Sequence, residues 1–134
     1  MTFSERVKAT GLPLEEVVVI GSGLLDQLGA RKAADIDLVA SERLFKQLAQ
    51  DDSFTQQRKH GEMVLERLPL EIWQSWGSNG QPNFTQLYAS GQTIDEVRYV
   101  SDEVMIEQKR TRNLAKDQRD IAWLINYRQE QHND

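Results

Sequence analysis

Three acidic residues stand where acids are costly. In Ala34-Asp35-Ile36-Asp37-Leu38 and in Leu70-Glu71-Ile72, each carboxylate is flanked by apolar residues in a run with strand-like alternation. Side chains alternate across a strand, so Asp35 and Asp37 are expected on one face, with Ile36 and Leu38 on the other. Two carboxylates about 7 Å apart on one face repel each other unless water or a cation lies between them. Strands disfavour Asp, and a buried acid without a partner is expensive. A set of this kind can hold a divalent cation. The plainer alternative is a solvent-facing sheet edge, to which either pattern alone is open.

Ahead of the aspartates lies Gly21-Ser22-Gly23. Gly21 lets a ligand approach the backbone, and Ser22 offers a hydroxyl. The helix expected next turns free N–H groups and a positive dipole end toward an anion at the turn. Short Gly-Ser turns also occur with no ligand. A second feature suited to anions is residues 104–119, where Lys109, Arg110, Arg112, Lys116 and Arg119 face only Glu107 and Asp117. That stretch is net +3 in a chain of net −5, leaving −8 elsewhere. It fits either a triphosphate-sized anion or a solvated helix face.

The elements that must position these groups follow from periodicity. Ser4 reads as the cap of a short helix ended by Gly11 and Pro13. Val17 to Ile20 reads as a buried strand, and Leu24, Leu25 and Leu28 as a short helix stopped by Gly29. Residues 34–40 form the second strand, after which Ser41 caps a helix with Leu44, Phe45 and Leu48 inside. Residues 54–74 read as two strands around His60-Gly61. In the second, Leu68, Leu70 and Ile72 face one way, and Glu71 and Trp73 the other. GSNGQPN is a loop by composition. Ser101 caps a helix reaching about Asn113, and a last helix from about Asp117 turns Ile121, Leu124 and Ile125 inward. The class is α+β, a small mixed β-sheet flanked by helices, with the C-terminal helices of about 102–130 packing on the sheet.

A length of 134 residues fits a single domain, 1–134. With no cysteine, thiol catalysis, disulfides and thiolate metal sites are excluded. No apolar run reaches the roughly 20 residues needed to span a bilayer, and MTFSERVK carries no secretory apolar block. The expectation is a cytoplasmic protein with no membrane partner. His60 and His132 stand alone and suggest neither a metal site nor a catalytic triad.

Taken together, a strand, a Gly-Ser turn, a short helix, an Asp-x-Asp strand and a later strand carrying Glu71 resemble the polymerase-beta-like nucleotidyltransferase superfamily. More narrowly, GSGLLDQLGARKAADIDLVAS resembles its small bacterial members, with Gly29-Ala30-Arg31 preceding Asp35-Ile36-Asp37. Lys109, Lys116-Asp117 and Asp120-Ile121 match the C-terminal pattern of that group. The chain departs from it in Gly23-Leu24-Leu25, where an arginine or other polar residue often stands, and in Asn113-Leu114-Ala115, which replaces a Gly-Arg.

The resemblance implies a minimal nucleotidyltransferase fold and transfer of a nucleoside monophosphate from a triphosphate to an acceptor hydroxyl. Asp35, Asp37 and Glu71 would be the catalytic residues and would hold Mg²⁺ or Mn²⁺. Glu71 would complete a second metal site or take the acceptor proton. Gly21, Ser22, Arg31, Lys109 and Lys116 would meet the nucleotide, while Asp117 and Asp120 would tie the last helix to its neighbour. The acceptor could be a small molecule, a protein or an RNA end; it is not readable from the residues, nor are the preferred base and the oligomeric state. The competing expectation is a non-catalytic nucleotide- or partner-binding protein of the same fold, such as a toxin–antitoxin component. Trp73 and Trp76 could form a platform for a base or acceptor ring, or cover the core. Other Asp-x-Asp enzymes fit less well: Val39 stands where haloacid-dehalogenase-like phosphatases need Thr, and Asp26 breaks a Gly-x-Gly-x-x-Gly pattern.

Overall fold

The apolar run Val17–Val19 becomes β1, an inner strand of a seven-stranded mixed sheet in the computed structural model, which describes residues 1–132. The sheet is assembled from β1, β2 (Ile36–Ala40), β3 (Thr55–Lys59), β4 (Glu62–Arg67), β5 (Leu70–Trp73), β6 (Gln92–Ile94) and β7 (Val97–Tyr99) in the order β3-β4-β5-β2-β1-β7-β6. β2 runs antiparallel to β1 and parallel to β5, and β1 runs parallel to β7. Two hairpins, β3–β4 and β6–β7, finish the two ends. Each turns through two residues of positive φ, His60-Gly61 and Asp95-Glu96, the geometry that suits the right-handed twist of paired strands.

Among the described residues six α-helices accompany the sheet: α1 (Phe3–Lys8), α2 (Gly23–Leu28), α3 (Glu42–Ala49), α4 (Phe84–Ser90), α5 (Asp102–Arg112) and α6 (Ala115–His132). The class is therefore α+β, as expected, although the sheet is larger than the reading implied. The inner strands β1 and β2 are almost wholly apolar and buried, which fits strands covered on both faces. Val19, Leu38, Leu65, Ile72, Val97 and Tyr99 are buried completely and belong to one continuous core with Phe3, Leu24 and Leu124. Gly23 is required at its place: a Cβ there would lie 2.3 Å from Val19 Cγ1 and 2.6 Å from Phe3 Cε1.

Several local expectations are corrected. The first helix is capped by Thr2, whose side chain accepts from Glu5 N, while Ser4 is buried and exchanges a 2.6 Å hydrogen bond with the Tyr99 hydroxyl. Residues 62–74 are two strands rather than one. Pro69 has no N–H to give a ladder, so the chain turns at Leu68-Pro69 and Leu68 is 69% exposed instead of facing inward with Leu70 and Ile72. α6 begins two residues before Asp117, and Ile125 is 38% exposed although Leu124 is buried. Helix α4 and strands β6 and β7 have only short, weakly periodic sequences and were not foreseen. The caps at Ser41 and Ser101, and the end of α2 at Gly29 with φ of 95°, are as expected.

Candidate functional site

The parallel pairing of β2 with β5 places Asp37 opposite Glu71, and paired residues on neighbouring strands project to the same face. Asp35 lies just before β2, which starts at Ile36 rather than Ala34, so the aspartates do not sit on one strand as expected. The result is nonetheless convergence. One carboxylate oxygen from each of Asp35, Asp37 and Glu71 lies within 4.8 Å of the other two. Asp35 is exposed, Asp37 half-buried and Glu71 buried, with 9% of its surface accessible. The trio thus runs from solvent into the protein, an open arrangement for a small ion.

Its electrostatics are unsettled. Burial, followed by the hydrogen bond and charge of Glu71 and the charge of Asp35, pushes the Asp37 carboxyl up to about 8. Burial also acts to raise Glu71, but the hydrogen bond with Asp37 and the Lys59 ammonium outweigh it and hold Glu71 below its ordinary value. Asp37 is the member left with the proton. Its Oδ1 is buried with no hydrogen-bond partner among the described residues, in a protein where buried polar atoms are otherwise paired almost throughout.

Two neighbours of the trio escaped the sequence reading. Glu66 on β4 stands opposite Glu71, so Asp37, Glu71 and Glu66 form an acidic row across three strands. Lys59, the last residue of β3, folds onto this row, its Nζ 2.5 Å from Glu71 Oε1 and 3.4 Å from Glu66 Oε2. Once residues 62–67 are recognised as a separate strand, alternation of Glu62, Val64 and Glu66 gives the signal for Glu66, and the short turn at His60-Gly61 gives that for Lys59.

The glycine turn borders the trio. Gly21 has φ of 67°, and a Cβ there would lie 3.1 Å from Asp37 Oδ2, so a side chain would be both strained and crowded. Ile20 N donates to Asp37 O (3.0 Å), which ties the turn to β2. Ser22 precedes α2 and its Oγ accepts from Arg31 Nη2 (2.9 Å).

Arg31 and Lys109, expected near phosphate, are both engaged by Asp120. Arg31 donates to both its carboxylate oxygens (3.1 and 2.8 Å), and Lys109 Nζ to Oδ2 (3.0 Å). Lys109 is 5% exposed and also lies 3.5 Å from Asp117, which Arg112 grips with two hydrogen bonds. Asp117 and Asp120 thus serve as the ties between α5 and α6 that the sequence suggested, and Lys109 is part of the tie. Lys116 is exposed in the first turn of α6. No helix among the described residues is long and apolar enough to cross a membrane.

The three oxygens suit a hard divalent cation by chemistry, since carboxylates without nitrogen or sulfur ligands favour Mg²⁺, Mn²⁺ or Ca²⁺. No family model matches the chain, no curated protein matches it, and no solved structure matches it.

Proposed function

We propose that the protein has a minimal nucleotidyltransferase fold and transfers a nucleoside monophosphate from a triphosphate to an acceptor hydroxyl, using Mg²⁺ or Mn²⁺ held by Asp35, Asp37 and Glu71. The observation that supports this most directly is the convergence of the three carboxylate oxygens within 4.8 Å, with Asp37 Oδ1 buried and unpartnered. An acid trio that the chain leaves undercompensated is stabilised when a cation joins it. The bound ion would supply charge neutralisation for the phosphates and the attacking oxygen.

The remaining roles belong to the chain. Gly21 would bring bare backbone beside Asp37, where no side chain fits, and Ser22 would offer its hydroxyl to the phosphates. In the transfer, the acceptor oxygen bonds to the α-phosphorus and the bond from that phosphorus to the bridging oxygen breaks. Pyrophosphate departs with the electron pair. The acceptor proton passes to a carboxylate of the trio, with Glu71 the best placed because it is kept ionised beside Lys59. Lys109 is committed to Asp117 and Asp120 and Lys59 to Glu71 and Glu66, so of the lysines expected at the nucleotide only the exposed Lys116 would be open to a departing anion among the described residues.

A second reading, a nucleotide- or partner-binding protein without turnover such as a toxin–antitoxin component, draws support from the same pairings. Lys59 already neutralises part of Glu71, and Arg31 and Lys109 are spent on Asp120. Thermal melting with ATP, GTP, CTP and UTP, each with and without Mg²⁺, separates the two. The transferase should gain several degrees with at least one triphosphate only when Mg²⁺ is present, and Asp37→Asn should remove the gain. Metal-independent stabilisation, or none, would sink the enzyme reading.

A further inference from the structure

A cavity of about 860 Å³ lies between the start of α3, the β3–β4 turn and the loop before α4. Sites for small organic ligands commonly occupy about 300–1,000 Å³. Its walls include the rings of Phe45, His60 and Phe84 and the amides of Asn79 and Asn83. Asn83 Oδ1 is engaged by Gln86 N (3.1 Å), which leaves its amide NH₂ as a donor.

The charged groups at the rim are answered locally. Lys46 pairs with Glu42 (2.9 Å), and Glu62 accepts from Gln74 N (3.1 Å) and Ser75 Oγ (2.7 Å). A cavity with aromatic walls, amide edges and a rim where Glu62 meets hydrogen-bond donors but no cation among the described residues favours a flat group with hydrogen-bonding edges over a sugar phosphate.

The cavity is joined to the acidic trio by two strands. β2 runs from Asp37 to Ala40 and β5 leads from Glu71 to Ser75, and both Ala40 and Ser75 line the cavity. Four residues of strand cover about 13 Å. Between Glu71 and Ser75, on the Glu71 face, stands Trp73. His60 stacks on it with ring centroids 6.0 Å apart and planes inclined by 26°. The Trp73 Nε1, behind His60, is buried with no partner among the described residues, so its indole signal reports on any change in the stack.

We infer that this cavity, walled by His60, Phe45 and Phe84, takes the heteroaromatic base of a nucleoside triphosphate whose phosphates lie at the trio. The phosphate end of that statement rests on the nucleotidyl-transfer reading; the base end does not. His60 is the stacking contact, exposed at the cavity wall, and the ribose bridges the interval between the cavity and the trio.

The test uses two probes that divide the ligand. Each of the four nucleosides without phosphate, and inorganic tripolyphosphate with Mg²⁺, is titrated into ¹⁵N-labelled protein. The three tryptophans give three indole N–H signals, with Trp73→Phe identifying the one at issue. At least one nucleoside should shift the Trp73 indole and His60 ring signals. His60→Asn, which tolerates the left-handed turn, should weaken that binding about tenfold. Nucleosides that leave both signals unmoved, or bind His60→Asn as well as the parent, overturn the inference. If tripolyphosphate with Mg²⁺ then still moves the Asp37 and Glu71 amides, the reading of the trio stands without it. Nucleoside binding with no response to tripolyphosphate has the opposite meaning: the base site survives and the trio's role falls.

Discussion

Asp117 and Asp120 meet three cations from their own chain, whereas Asp35, Asp37 and Glu71 meet one. In the first cluster Arg31, Lys109 and Arg112 converge on two buried carboxylates, and Leu114 N adds a backbone donor (3.1 Å) to Asp117. In the second, among the described residues, only Lys59 approaches, and it touches Glu71 rather than the aspartates. Both clusters are acidic and both lie at junctions between elements. They differ in whether folding itself supplies the neutralising charge. An acid cluster that brings its own cations is a fastener. One that leaves a buried oxygen unpartnered is the kind that a cation from outside would stabilise.

The comparison is tested hardest by removing one charge from each side. Asp120→Asn leaves buried Lys109 with Asp117 alone, at 3.5 Å, and should cost about 3 kcal/mol in urea unfolding, the low end of the loss typical of a buried pair broken from one end. Asp37→Asn relieves repulsion and should leave stability unchanged or slightly higher in EDTA, while abolishing nucleotidyl transfer. Equal destabilisation by the two substitutions would erase the distinction between the clusters.

A gentler probe is pH, because the two clusters carry opposite signs. Hydrogen bonds from Arg112, with Leu114 N and Lys109, hold Asp117 far below the usual carboxylate range despite burial. Burial tends to raise Asp120, but Arg31 and Lys109 prevail and lower it. Their contribution is present above the unfolded Asp value of about 3.9 and is lost as pH falls below it. Asp37 is raised to about 8, so the folded state holds a proton that the unfolded chain releases. Its effect is a loss of stability as pH climbs from about 4 through 8. Melting temperature measured in EDTA should fall toward both ends, and Asp37→Asn should flatten the alkaline side alone.

The smallest effect concerns Lys59. It is partly exposed, so Lys59→Met should change stability by no more than about 1 kcal/mol. It should nevertheless tighten Mn²⁺ binding a few-fold by calorimetry, since the incoming ion no longer competes with an ammonium for Glu71. Unchanged or weaker Mn²⁺ binding would show that Lys59 supports the trio rather than occupying part of it.

The trio was legible because acids between apolar neighbours violate strand preference, and such violations survive scrutiny of a single sequence. The Gly21 turn, the Ser41 and Ser101 caps and the α5–α6 tie were legible for similar reasons: each depends on residues a few positions apart. What escaped depends on pairing across distance. Lys59 announces itself only once the His60-Gly61 turn and the β4–β5 pairing are both known, because the first folds β3 back and the second brings Glu71 beneath it. Nothing near Lys109 distinguishes a phosphate contact from a ligand of Asp120 eleven residues on. Strands β6 and β7, three residues each, are shorter than any periodic pattern needs to declare itself.

Arg31 joins regions that otherwise have little to do with one another, reaching the Ser22 hydroxyl with one nitrogen while gripping Asp120 with two. The posture of the glycine turn is thereby set in part from the outermost helical pair. Any shift of Asp120 loosens the anchor of Arg31 and with it the hydrogen bond on Ser22, so the packing of α6 and the glycine turn are mechanically linked.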